Sequence, residues 1–219
     1  MKRVSSAPAG ADQASARTAL RLAGIALSCE CSVVQLSIDG ARFAVVFSPD
    51  SLEHQRRKEA GVGAATDTGL LHALWTLPLG LPIPLGSLDP ADATTLAKLG
   101  RGYIDRTGDT ATRVFSPAGV VTTAVVVAQR LGDAVRRVAQ QPPIFGRLAA
   151  SWRHPGMGSA AVALATESGV GAVVLTKAGP GLLVAPRPAE RGVPAVYRWW
   201  ISELAYRNWT YTNCAHCRS

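Results

Sequence analysis

Val33-Val34-Gln35-Leu36-Ser37-Ile38, then Asp39-Gly40, then Ala41-Arg42-Phe43-Ala44-Val45-Val46-Phe47: this stretch decides the fold class. Apolar residues alternate on both sides of an Asp-Gly pair. Glycine tolerates positive φ, and a two-residue type I′ turn matches the twist of the strands it joins. The pattern predicts a β-hairpin in which Val34, Leu36 and Ile38 face a core together with Phe43, Val45 and Phe47.

Working outward, two more hairpins are expected. One runs Tyr103–Arg106, turns through Thr107-Gly108-Asp109-Thr110 and returns along Ala111–Phe115; the other runs Ala172–Thr176, turns through Lys177–Gly181 and returns along Leu182–Ala185. The first two end alike: Val46-Phe47-Ser48-Pro49 recurs 68 residues later as Val114-Phe115-Ser116-Pro117, and Val184-Ala185-Pro186 follows after a further 70. Ser-Pro is a sound helix start, because Ser caps free N–H groups and Pro fits the first helical position. The expected fold class is therefore α+β: β-hairpins each followed by a helix, one main core, and a three-fold repeat of about 70 residues. Helices are expected over residues 13–28, from Asp89-Pro90 to Leu99, from Ser116-Pro117 towards Gln141, and over about 194–209. Within the third of these, the Val-rich 120–127 stretch also reads as strand. Residues 1–17 read as a disordered basic arm and 18–219 as a single α+β domain, with a seam at the Pro- and Leu-rich 76–90 stretch.

Composition bounds the function. Of 219 residues, 47% are hydrophobic and 17% charged, which excludes wholesale disorder. No apolar run approaches the ~18–20 residues of a membrane-spanning helix, so no membrane partner is expected. No export signal stands out, which points to a cytoplasmic location. The net charge of +8 is carried mostly by arginine, whose guanidinium binds phosphate bidentately, and it suits an anionic partner such as nucleic acid.

Four cysteines fall in two close pairs at opposite ends of the chain: Cys29 and Cys31, Cys214 and Cys217. Four thiolates in two short-spaced pairs suit a tetrahedral structural zinc, with His216 as a substitute ligand. The same residues also read as inert thiols, or as a redox or disulfide pair. The run His154-Pro155-Gly156-Met157-Gly158-Ser159-Ala160-Ala161 precedes an Ala-rich helix. Free N–H groups at such a start can hold phosphate, which marks Gly156, Gly158 and Ser159. Over these eight residues the run resembles the glycine loop of small-molecule kinases of the galactokinase and homoserine kinase type, which implies a phosphorylated ligand. No nucleophile–base arrangement accompanies it, so the chain leans towards a non-enzyme.

The densest basic run holds Arg56, Arg57 and Lys58, and six aromatic residues crowd 197–211. Val196, Trp200 and Leu204 form one helical face, and Trp199, Tyr206 and Trp209 another. The second face is either buried within the domain or, with Arg198 and Arg207, offered to a partner. Three functional readings follow. The first is a non-catalytic binding protein for nucleic acid or another anionic partner, stapled by zinc. The second is a protein-interaction or assembly subunit, including a homo-oligomer, that uses the aromatic helix. The third is a small phosphoryl-ligand enzyme using the 155–160 loop.

Overall fold

The structure, a computed structural model, describes residues 10–28, 30–141, 143–156, 159–176, 181–189 and 195–214. In chain order the elements are α1 (Gly10–Leu22), β1 (Ser32–Ile38), β2 (Ala41–Pro49), α2 (Ser51–Ala60), α3 (Thr68–Thr76), β3 (Pro82–Pro84), a short 3-10 turn (Leu85–Ser87), α4 (Pro90–Ala97), β4 (Ile104–Thr107), β5 (Thr110–Arg113), β6 (Gly119–Ala128), α5 (Leu131–Ala139), β7 (Gly146–Ser151), α6 (Ala160–Glu167), β8 (Gly171–Val174), β9 (Gly181–Val184) and α7 (Ala195–Cys214). This is a mixed α+β protein with a six-stranded sheet and, among the described residues, seven α-helices. None of those helices is long and apolar enough to cross a membrane.

The chain divides into two compact units, Met1–Ser48 with Val121–Val193, and Pro49–Val120 with Pro194–Ser219. The six-stranded sheet has the order β1-β2-β6-β7-β8-β9. The opening hairpin forms as expected, with Ile38 opposite Ala41, Leu36 opposite Phe43 and Val34 opposite Val45. Asp39 and Gly40 sit at φ 52° and 82°, the paired positive values a type I′ turn requires. Strands β6, β7 and β8 are parallel, with α5 and α6 as their crossovers. A parallel strand covered on both faces is apolar throughout rather than alternating, which is why the 120–127 valines are compatible with either state. On α5 the buried residues are Leu131, Ala134, Val135 and Val138, spaced for one helical face. Helix α1 covers the sheet with Ala16, Ala19 and Leu20, which pack with Val33, Val46, Val125, Leu148 and Val173.

The second unit holds the three-stranded sheet β3-β5-β4, in which Pro-bearing β3 takes an edge position. Its own core gathers Leu71, Leu74, Leu77, Leu96, Ile104, Phe115 and Trp199. The 76–90 stretch lies inside this unit.

Several expectations change. Among the described residues the buried apolar side chains fall into separate clusters, one against the six-stranded sheet and one in the second unit, where one main core was expected. Pro49 closes β2, and the cap of α2 is Asp50, whose carboxylate accepts from Leu52 N and Glu53 N at 3.0 Å each. Ser116-Pro117 leads into strand β6 instead of a helix, and the segment read as one helix to Gln141 breaks at Gln129-Arg130 into β6 and α5. The hairpin-then-helix rhythm therefore fails at its second occurrence. The β4–β5 hairpin also belongs to a different sheet from β1–β2, so the three-fold repeat is not borne out. The α4 reading holds, with Asp89 as cap and Pro90 at the first helical position.

Candidate anion-binding edge

The residues expected to meet a partner in the second unit are mostly spent on its interior. Arg57 is fully buried. Its Nη1 and Nη2 donate to Glu203 Oε2 and Oε1, and its Nε to Glu53 Oε1, each at 2.7 Å. Nη2 also donates to Ser116 O at 2.6 Å, and the guanidinium lies 3.8 Å from the Phe115 ring centroid and 4.9 Å from that of Tyr206. Glu203 accepts further bonds from Trp199 Nε1 and Ala65 N at 3.0 Å each. Arg56 donates twice to Glu53 at 2.7 Å and once to Gly102 O at 2.9 Å. Burial pushes the Glu53 carboxyl up, but hydrogen bonds and charge from Arg56 and Arg57 outweigh it and hold it below the usual carboxylate range. Burial likewise opposes the charge on Arg57, yet Glu203 and Glu53 raise its affinity for the proton overall. Two arginines and two glutamates thus neutralise one another, with Arg57, Glu53 and Glu203 buried and Arg56 at the rim.

Trp199 and Tyr206 are buried, so neither offers an exposed ring; Arg198, Arg207 and Trp209 are half-buried, and Lys58 is exposed. The second aromatic face of α7 is covered by its own unit: Trp199 stacks on Phe115 at 5.9 Å, and His54 packs edge-on against the stacked pair of Tyr206 and Trp209.

Among the described residues no group of three or more His, Cys, Asp or Glu side chains is placed to hold a metal ion, which overturns the zinc expectation. Cys31, the one ligand candidate whose side chain is described, has hydroxyl partners instead: Ser28 Oγ at 3.1 Å and Ser48 Oγ at 3.0 Å. Those two hydrogen bonds hold its thiol below the ordinary cysteine range. It opens on a cleft of about 680 Å³ that Arg17 and Arg21 also line. Cys29, His216, Cys217 and the side chain of Cys214 lie outside the described residues.

The charge is unevenly shared. The first unit carries thirteen Lys or Arg against six Asp or Glu, a net +7, whereas the second carries ten against nine, a net +1. Parallel strands bring several of the first unit's polar connections to one end of the sheet. In open sheets of this kind ligands gather outside the carboxyl ends of the strands. Here the β6–α5 turn, Gln129-Arg130, and the start of the β7–α6 connection, Trp152-Arg153, run side by side. Trp152 N donates to Ala128 O and Arg153 N to Gln129 O, each at 3.2 Å. Leu175 N, just past β8, donates to Ser151 O at 2.8 Å.

Arg130, Trp152, Arg153, His154 and Gly156 are exposed along this edge. Among the described residues the Arg130 and Arg153 side chains have no ion-pair or hydrogen-bond partner. His154 Nδ1 donates to Pro155 O at 2.6 Å. Ser159 caps α6 by accepting from Ala161 N at 3.2 Å. Of the residues marked for phosphate, Gly156 and Ser159 follow this edge in the chain, and Gly158 lies outside the described residues. Sequence reasoning missed Arg130, Trp152 and Arg153, because their adjacency needs β7 to be recognised between its parallel neighbours. No family model, no curated protein and no solved structure matches this chain.

Proposed function

We propose that this protein is a non-catalytic binding protein for an anionic macromolecule, nucleic acid foremost, and that it binds through its first unit. The observation that carries this reading is the segregation of charge, with almost the whole surplus of +8 assigned to the unit built around the parallel strands. In the second unit Arg57 is buried and held by both Glu53 and Glu203, and Arg56 is paired with Glu53, so the charge of each is already engaged by carboxylates. On the first unit, Arg130 and Arg153 keep theirs free among the described residues. Guanidinium groups that neutralise phosphates release condensed counterions, so such binding weakens steeply with salt.

The test is fluorescence anisotropy of the full chain with labelled DNA and RNA across a salt series. Affinity is expected to fall linearly on logarithmic axes, with a slope of several phosphates. Arg136→Glu with Arg137→Glu, on the exposed side of α5, should weaken binding, while Lys98→Glu with Arg101→Glu in the second unit should leave it unchanged. Absence of binding to any polyanion at low salt would refute the proposal.

A further inference from the structure

We infer that the carboxyl edge of β6 and β7 is a docking strip for an unpaired nucleic-acid strand, with a base stacked on Trp152 and neighbouring phosphates held by Arg130 and Arg153. This rests on the anion-binding reading above and names the form of nucleic acid.

Trp152 is 43% exposed, and no ring or cation partner is recorded for it among the described residues. The other strongly exposed tryptophan, Trp75, lies in the near-neutral second unit and is already engaged by Trp199 and Arg113. A bare indole keeps a large apolar face in water, a face that a flat partner would cover. Two arginines whose side chains have no partner among the described residues are the backbone neighbours of Trp152: Arg153 is next in the chain, and Arg130 follows Gln129, whose carbonyl takes the Arg153 N–H. A duplex hides its bases and offers phosphates alone, leaving the indole uncovered. An acidic peptide supplies charge but no flat face at each residue. An unpaired strand supplies both, repeated along its length, and stacking of this kind is indifferent to base identity.

The experiment measures binding of the full chain to a labelled oligothymidylate of about twenty nucleotides and to a duplex of the same length, at low salt. The single strand should bind more tightly. Trp152→Ala should weaken it by about ten-fold, as expected for losing one stacked base, with duplex binding unchanged. Trp152→Phe should restore most of the loss, which a merely structural role for the indole would not produce. Arg130→Glu with Arg153→Glu should reduce the salt slope by roughly one to two. Equal affinity for duplex and single strand, an unaffected Trp152→Ala variant, or displacement of the oligonucleotide by polyglutamate as readily as by unlabelled strand would each overturn the inference. Salt-dependent binding that ignores Trp152 overturns this inference and leaves the proposed function standing. Loss of all polyanion binding removes both.

Discussion

Replacing Arg57 by Met tests what holds the second unit together. Both Arg57 and Glu203 have 0% side-chain exposure, so water cannot take over when the guanidinium is removed. The variant loses two 2.7 Å charge-assisted bonds to Glu203, a third to Glu53, and the 2.6 Å bond to Ser116 O. Glu53 keeps both bonds from Arg56, whereas Glu203 is left as a buried anion with only neutral donors from Trp199, Ala65 and Ala118. Breaking a buried pair from one side costs about 3–5 kcal/mol, a large part of the ~5–15 kcal/mol that stabilises an ordinary domain. With a urea slope of about 1–3 kcal/mol/M, the midpoint should fall by roughly 2 M. The assay is urea unfolding followed by tryptophan emission, to which Trp199 contributes through its bond to Glu203. Arg57→Met with Glu203→Gln removes both charges and should recover about half of the loss, since the uncompensated charge is what makes the single variant severe. A single variant within about 1 kcal/mol of the parent, or a double variant as unstable as the sum of the two single ones, would refute the reasoning.

His54 and Cys31 give two pH-dependent predictions. Burial, with Lys58 and Arg57 nearby, lowers the His54 pKa below its ordinary value. The unfolded chain therefore takes the proton first as pH falls, and His54's contribution, full above about pH 6.5, should be lost as pH drops through the lower folded value. Urea unfolding at successive pH values should show this decline flattened in His54→Gln; identical pH profiles would count against it. Loss of the Glu53 contribution should come separately, at lower pH within the carboxylate range, because its folded pKa is depressed. The Cys31 thiolate, held by Ser28 and Ser48, should react with iodoacetamide at a lower pH than an ordinary thiol, read by peptide mass spectrometry. Ser28→Ala should move that profile upward, and an unmoved profile would show that the hydroxyl does not stabilise the thiolate.

Much of the local structure was legible because its causes are local. The Asp39-Gly40 turn needs two positive φ values, and the sequence supplies the residues that tolerate them. Asp89-Pro90 starts a helix because a carboxylate and a missing N–H answer the unsatisfied groups of the first turn. Where a signal was shared between states, the sequence alone did not decide. Ser-Pro begins helices, but at 116–117 it precedes a β-branched stretch that pairs in parallel with β7 and is buried over 123–126, and sheet pairing prevails over the cap signal.

The roles of the charged and aromatic residues were settled only in three dimensions. Arg57 looks from the sequence like part of a solvated basic run, and its partner Glu203 lies 146 residues away. Nothing in the neighbourhood of either marks the other, because an ion pair depends on distance in space and on the exclusion of water. The same holds for the +7 of the first unit, which is assembled from two separated stretches of chain and is invisible to any window along it. Sequence by itself determined the turns, the caps and the total charge, all set by chemistry within a few residues. Tertiary structure decided which charges cancel in the interior and which remain exposed to water, because only packing determines where water is removed.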